Sequence, residues 1–131
     1  MKKIAIDIDG CVLDFGKSFA EWLDDYKNIL ISTNPNEWDF GMGDNAGKLV
    51  EQFMSISSNV RNIYFIETMK RFILENKDKL NIIFLTETPM VARKERWEML
   101  NKVFPGIPFT ALDYGMKSQY IISMAEHGIG F

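Results

Sequence analysis

Two acidic residues near the N-terminus constrain the fold more than any other feature of the sequence. Asp7 and Asp9 lie at the far end of a short apolar run over residues 4–8, and Gly10 breaks the pattern at once. If the run is a β-strand, side chains alternate between its faces, so Asp7 and Asp9 are predicted to point the same way. Adjacent carboxylates at the end of a buried strand repel each other and lose solvation. A hard divalent cation such as magnesium (Mg²⁺), or a catalytic role, accounts for such a pair.

An ordinary turn or helix-capping role is the alternative for each of these acids, because Asp suits both positions. The strand-end context favours a functional site for Asp7 and Asp9. For Asp14, capping of the helix that follows is at least as good an explanation.

Composition sets the class of protein. The 131 residues suffice for one domain with a real core, and 47% hydrophobic with 25% charged residues is typical of a soluble globular protein. A net charge of −3 without a basic tract argues against a nucleic-acid polymer as partner. One cysteine excludes an internal disulfide, and we see neither a signal peptide nor a run long enough for a membrane span. We therefore expect a cytoplasmic protein with no membrane partner.

Hydrophobic periodicity predicts an α/β fold with a parallel sheet. The expected helices cover residues 15–30, 45–56, 64–76, 89–103 and 117–126, with residues 57–59 interrupting the helical region. The expected strands cover residues 4–8, 81–85 and 107–112, and residues 129–131 begin a further one. The side chains expected to face the core from the first three helices are Phe15, Phe19, Leu23, Tyr26, Leu30, Leu49, Phe53, Ile56, Met69, Phe72 and Ile73.

Three strand ends are expected to meet at one site, because ligands of parallel sheets bind outside the carboxyl ends of the strands. These ends carry Asp7 with Asp9, Thr86, and the loop before Lys117. An acid pair, a hydroxyl and an ammonium group suit phosphoryl transfer: one carboxylate attacks phosphorus, the other moves protons, and the remaining groups hold phosphate oxygens. The helical stretch after the first strand is too long for a simple crossover, so part of it is expected to form a lid.

These residues resemble the motifs of haloacid-dehalogenase-type phosphatases. The sequence Asp7-Ile8-Asp9-Gly10 looks like the first motif, Thr86 the second and Lys117 the third, in the right order over nearly the whole chain. The resemblance implies a single Rossmann-like three-layer domain, residues 1–131, with its core at 1–14 plus 65–131 and a helical cap at 15–64. It implies a magnesium-dependent phosphomonoester hydrolase with Asp7 as nucleophile and Asp9 as acid/base. Thr86 would bind phosphate, Lys117 would orient Asp7 and the phosphate, and the Asp7 side chain and Asp9 backbone carbonyl would hold Mg²⁺.

Within that superfamily, the cap is similar to that of 5'(3')-deoxyribonucleotidases and their phage and bacterial relatives, which hold a base with aromatic side chains. This implies a (deoxy)nucleoside monophosphate as substrate. The aromatic candidates for this role are Phe15, Phe19, Trp38, Phe40 and Tyr64. A core position is the stronger interpretation for Phe19, and the two roles are equally good explanations for Trp38 and Phe40. The candidate substrate-binding residues are Gly10, Phe15, Trp38, Phe40, Glu87 and Arg93.

The family's fourth motif, an acidic cluster that completes the magnesium site, has no counterpart in this sequence. Residues 129–131 look like its lead-in, so we expect the last strand and helix of the family to be missing, with self-association into a homodimer as one way to cover the sheet edge. Asp113, after the preceding strand, is the substitute ligand to consider. Loss of a ligand misplaces the ion and lowers the rate.

Two other functions compete with hydrolysis. A receiver-type signalling domain has similar length but needs an Asp at the end of its middle strand, and no Asp occurs between Gly47 and Lys77. The second competing function is that of a binding or regulatory protein with the same fold whose metal site has been lost.

Several single residues have simpler interpretations. Cys11 is expected to be a small buried thiol, since the single histidine lies far away in sequence. Arg93, Lys94 and Arg96 are expected on the solvated face of their helix, with Arg93 near enough to reach an anionic substrate. Glu87 is either a supporting residue of the site or an exposed loop acid.

Overall fold

A three-stranded parallel sheet organises the fold. The structure is a computed structural model that describes residues 1–27 and 46–131, with the backbone alone for residues 26 and 27. Its strands are β1 (Lys3–Asp7), β2 (Asn81–Glu87) and β3 (Phe109–Leu112), in the order β1-β2-β3. The predicted strand start at residues 129–131 is reduced to one parallel bridge between Gly130 and Ile4 on the other side of β1. The predicted α/β class with a parallel sheet is confirmed.

Most of the helices lie where the hydrophobic periodicity of the sequence predicts them. They are α1 (Phe15–Trp22), α2 (Ala46–Met54), α3 (Ser57–Arg61), α4 (Glu67–Asn76), α5 (Met90–Val103) and α6 (Lys117–Glu126). A single wider, π-helical turn over Leu23–Lys27 extends α1. The predicted break at residues 57–59 is wrong, because these residues begin the short helix α3, which packs on α5. None of the helices in the described ranges has the length and apolar character needed to cross a bilayer.

Helices cover both faces of the sheet. Ile6 of β1 and Phe84 of β2 lie in the larger core, which α5 completes with Leu100. Ala5 and Leu85 point the other way and pack against Met124 of α6. Because β-strand side chains alternate, consecutive residues of β1 and β2 contact different helices.

Of the expected core side chains that the structure describes, all but two are buried or pack against the core, and those of Tyr26 and Leu30 lie outside the description. Phe19, Leu23, Phe53 and Ile73 are buried, whereas Ile56 and Phe72 are exposed. Ile56 lies outside α2, which ends at Met54, so the helical period does not apply to it. Phe72 precedes the fully buried Ile73 in α4, and adjacent helical residues cannot both point inward on a narrow face.

A tight turn follows β1 and aims the chain into α1. The N–H groups of Cys11, Val12 and Leu13 all donate to the Ile8 carbonyl, and Gly10 has φ +80°, a left-handed conformation that favours glycine. Asp14 then caps α1, since its Oδ1 accepts a hydrogen bond from the Lys17 N–H at 3.2 Å. The capping interpretation of Asp14 is therefore confirmed.

Candidate functional site

Asp7 and Lys117 form a direct ion pair at the carboxyl edge of the sheet. Asp7 is the last residue of β1 and shares a face with Ala5, toward α6, and Lys117 is the first residue of α6. The Lys117 Nζ lies 2.7 Å from the Asp7 Oδ1, which also accepts the Ile8 N–H at 2.9 Å. Two donors thus fix Oδ1, whereas the Asp7 Oδ2 accepts no hydrogen bond from the residues that the structure describes.

A second group of contacts links Asp9 to Thr86 through two residues that the sequence did not single out. The Arg96 Nη1 lies 2.8 Å from the Asp9 Oδ2 and 3.4 Å from the Thr88 Oγ1. The hydroxyls of Thr88 and Thr86 are 3.0 Å apart. Thr86, expected in a loop, lies within β2 and is only 1% exposed, so its hydroxyl is engaged inside the protein.

The expectation that Asp7 and Asp9 point the same way fails for a geometric reason. β1 ends at Asp7, so strand alternation no longer governs Asp9, which lies in the turn around Gly10. Asp7 contacts α6 and Asp9 contacts α5, and these helices pack on opposite faces of the sheet. All four motif residues lie at the carboxyl edge, as two linked groups, Asp7 with Lys117 and Asp9 with Thr86.

The assignment of Arg96 to a solvated face is wrong. Its side chain is 0% exposed, whereas Lys94 is exposed and Arg93 is partly buried. The sequence contained a signal for this burial. The buried residues of α5 recur at the helical period, and they are Ala92, Arg96, Met99 and Leu100. A basic residue on an otherwise apolar helical face predicts a buried charge with an acidic partner.

Glu87 supports the helix that carries Lys117. The Glu87 Oε1 accepts a hydrogen bond from the Lys117 N–H at 3.2 Å, so this carboxylate caps the N-terminus of α6. A negative charge there also interacts favourably with the helix dipole. Of the two interpretations open for Glu87, the supporting role agrees with its position.

Removal of this cap is expected to destabilise the protein. We predict that Glu87→Ala lowers the free energy of unfolding in urea by about 1 kcal/mol, and that Glu87→Gln, whose amide oxygen still accepts, costs less. Glu126→Ala, at the exposed C-terminal end of the same helix, is the matched control and should not destabilise. Equal unfolding free energies for wild type and Glu87→Ala would remove the capping role.

Arg93 and Asp113 pair with each other at the rim. The Arg93 Nη2 lies 2.7 Å from the Asp113 Oδ1, and its Nε donates to the Thr88 carbonyl at 2.9 Å. Asp113 has a side chain that is 79% exposed. It is therefore not arranged as the substitute metal ligand, and Arg93 must exchange its partner before it can hold an anionic substrate.

Cys11 and Tyr114 flank the two acids. Burial and then the negative charge of Asp7 raise the pKa of the Cys11 thiol, while Lys117 opposes the shift. Tyr114, largely exposed in the loop after β3, has a phenol whose pKa is raised by partial desolvation and then by the charge of Asp9. The charge of Asp9 is thus felt by the hydroxyl of Tyr114, a residue to which no motif in the sequence pointed.

The thiol of Cys11 provides a test of this geometry that requires no substrate. Because its pKa is raised, little thiolate exists at neutral pH, and we expect slow alkylation by iodoacetamide with a profile displaced to higher pH. Asp7→Asn removes a negative neighbour and should lower the pKa, so alkylation at a fixed pH becomes faster. Asp14→Asn, which leaves Asp7 in place, is the control and should match wild type. A slower reaction in Asp7→Asn would contradict the placement of Cys11 beside Asp7.

The predicted substrate-binding residues divide into three groups. Gly10, Glu87 and Arg93 lie at the carboxyl edge with the acids. Phe15 is partly buried in an aromatic cluster, 5.5 Å from Phe19 and 5.4 Å from Phe53 between ring centroids. Trp38 and Phe40 lie outside the described residues.

Two cavities border the described residues, and their linings contain none of the four motif residues Asp7, Asp9, Thr86 and Lys117. One, of about 380 Å³, lies between α1 and α3 and is lined by residues that include Glu21, Asp25 and Tyr64, whose hydroxyl donates to the Glu21 Oε2 at 2.7 Å. The other, of about 410 Å³, lies at the amino end of the strands, at the opposite edge. The candidate site lies at the carboxyl edge of the sheet, outside both of these cavities.

The acids can serve a magnesium ion that arrives with a phosphate. No cluster of three or more His, Cys, Asp or Glu side chains within residues 1–27 and 46–131 is arranged to hold a metal. The Asp9 Oδ1, however, is buried without a hydrogen-bond partner in that part of the chain. Mg²⁺ is commonly held by one or two carboxylates together with waters and substrate phosphate, and Asp7 and Asp9 fit that donor set.

A comparison with known proteins finds no family model that matches the sequence and no curated protein with significant similarity to it.

Proposed function

We propose that this protein is a phosphomonoester hydrolase of the haloacid-dehalogenase type, acting on a small phosphorylated metabolite through an aspartyl-phosphate. The observation that carries the proposal is the contact between the Lys117 Nζ and the Asp7 Oδ1, from residues 110 positions apart in the chain. A lysine that neutralises a carboxylate at the end of the first strand can also hold the oxygens of a phosphate beside it. Deoxynucleoside monophosphates are the substrates to test first.

The proposed reaction has two balanced steps. The free Asp7 oxygen attacks phosphorus, the ester P–O bond breaks, and Asp9 in its acid form gives a proton to the leaving oxygen. Asp9 then takes a proton from water as that water attacks the acyl-phosphate, which releases phosphate and restores Asp7. Asp7 and the Asp9 backbone carbonyl would hold a magnesium ion, which would neutralise part of the phosphate charge.

Charge balance supports the requirement for magnesium. With both carboxylates ionised, Asp7 and Asp9 cancel the formal charges of the two cations, Lys117 and Arg96. A phosphomonoester carries a charge of about −2 near neutral pH, so a neutral site alone attracts it weakly. A divalent cation brought to Asp7 and Asp9 gives the site the opposite charge.

A helical cap over residues 15–64 is part of the proposal. The helices α1, α2 and α3 pack on one another, and α3 packs on α5. At the end of α2, the Met54 Sδ lies 3.9 Å from the Arg96 Nη2. The insertion therefore contacts Arg96, the partner of Asp9, and a cap in this position can limit the size of the substrate.

The test is release of inorganic phosphate from a panel of deoxynucleoside, ribonucleoside and sugar monophosphates, with Mg²⁺ or with EDTA. We expect turnover of at least one member of the panel with Mg²⁺ and its loss with EDTA. The proposed hydrolase activity would be overturned if no member of the panel released phosphate.

A binding protein without turnover is the second candidate, and the burial of Thr86 favours it. The Thr86 hydroxyl faces Thr88 rather than the open edge, so a phosphate must displace this contact to use it. Under this alternative a monophosphate gives a calorimetric binding signal, while phosphate release is absent over the same concentration range.

A further inference from the structure

Arg96 is a buried charge that hydrolysis through Asp7, Asp9 and Lys117 does not by itself explain. Its guanidinium is 0% exposed, whereas the side chain of the Asp9 that it contacts is 32% exposed. A buried arginine is expensive to desolvate, and loss of its acidic partner would leave an uncompensated charge inside the protein. Because it has no exposed surface, Arg96 cannot bind substrate in this structure, so its effect must pass through Asp9 or Thr88.

We propose that Arg96 is a positioning residue that fixes the carboxylate of Asp9 for proton transfer. This inference rests on the proposed function, in which Asp9 is the acid/base. Asp9 lies beyond the end of β1 in a turn, where the backbone alone leaves its carboxylate free to rotate. The 2.8 Å contact holds Oδ2, while Oδ1 is buried and accepts no hydrogen bond in the described ranges, so the contact with Arg96 sets the orientation of the carboxylate.

The same guanidinium connects the acid to the hydroxyl pair. The Arg96 Nη1 also reaches the Thr88 Oγ1 at 3.4 Å, and Thr88 contacts Thr86. Arg96 is itself held on a rigid helix by the burial of Ala92 and Leu100 on either side of it. One buried side chain therefore orients groups from β2 and from the turn after β1.

The kinetic test compares two Arg96 variants with a matched control on the best substrate of the panel. Arg96→Met removes the donors and the charge, Arg96→Lys keeps the charge with a different donor geometry, and Lys94→Met removes one exposed charge from the same helix. We expect kcat to fall on the order of 100-fold in Arg96→Met with little change in KM, part of it restored in Arg96→Lys, and wild-type kinetics in Lys94→Met.

An aryl phosphate, whose leaving group needs no proton, separates positioning from general damage to the fold. With this substrate the burst of phenol in Arg96→Met should stay near wild type, because the first step no longer depends on Asp9, while steady-state turnover stays slow. The proposal would be overturned if the burst and the steady-state rate fell equally, or if KM rose while kcat was retained. It would also be overturned if the loss of kcat in Arg96→Met were no larger than that in Lys94→Met. If Arg96→Met does not fold, the same comparison in Arg96→Lys decides.

A double-mutant cycle, measured by urea unfolding, tests the contact between Asp9 and Arg96 separately from the proposed hydrolase activity. If Asp9 and Arg96 are coupled, the midpoint shift of Asp9→Asn with Arg96→Met is smaller than the sum of the single shifts. A wild type that releases no phosphate would end the catalytic role of both residues, whatever the cycle shows. Additive shifts would remove the contact itself and with it the positioning role.

Discussion

Replacement of Asp7 by Asn is expected to lower the rate of phosphate release by about 10⁴-fold or more, the scale seen when a nucleophile or its essential partner is removed. The amide oxygen of Asn can still accept hydrogen bonds from Lys117 and from the Ile8 N–H, so the fold should persist. What is lost is the negatively charged oxygen that attacks phosphorus. The measurement is kcat on the best monophosphate, with the urea midpoint as the check on folding.

Asp78→Asn is the matched control for this variant. Asp78 is an exposed carboxyl in the segment between α4 and β2, at the amino end of the sheet, and its replacement should leave kcat unchanged. Phosphate release that persists in Asp7→Asn at the wild-type rate would exclude Asp7 as nucleophile and would leave any observed hydrolysis to another group.

Replacement of Lys117 by Met is expected to cost about 10² to 10³ in kcat, which is typical of the loss of one group that stabilises developing negative charge. The effect on stability should be below about 1 kcal/mol, because both members of the ion pair are partly exposed. A large loss of rate with a small loss of stability therefore separates a role in the reaction from a role in the fold. Both quantities come from the same preparation, by kinetics and by urea unfolding.

Two comparisons sharpen this prediction. Lys79→Met removes an exposed lysine at the opposite end of the sheet and should behave as wild type. Lys117→Arg keeps the charge but presents a planar fork instead of a compact ammonium, so it should recover only part of the rate. If Lys117→Met and Lys79→Met have equal rates, the ion pair with Asp7 is structural only.

The sequence predicted the elements whose patterns are local and strong. The strands around Asp7 and Thr86 and the helix Lys117–Glu126 are found within a few residues of their expected ends. A buried parallel strand is a continuous apolar run, and a helix bounded by a glycine-containing stop is a clear signal. The positions of Asp7 and Lys117 at one edge followed from topology alone, since parallel strands present their carboxyl ends together.

What the sequence did not predict depends on tertiary contacts. Arg96 is buried because core residues of β2 and α2 close over its helix, α5. A basic residue considered on its own is more often solvated. The orientation of Asp9 follows from a turn stabilised by Gly10 and the Ile8 carbonyl, beyond the reach of strand alternation. Sequence patterns therefore located the acids, but the partners that fix each acid came from elements distant in the chain.

The most direct test is to trap the phosphoryl group on the protein. In Asp9→Asn the second step lacks its base, and an aryl phosphate supplies a leaving group that needs no acid, so the acyl-phosphate should accumulate. Acid quench followed by peptide mass spectrometry should place one hydroxylamine-labile phosphoryl group on the peptide that carries Asp7, and none on that of Asp7→Asn with Asp9→Asn. Phenol release with no phosphoryl group on that peptide, or with the group on another residue, would contradict the account.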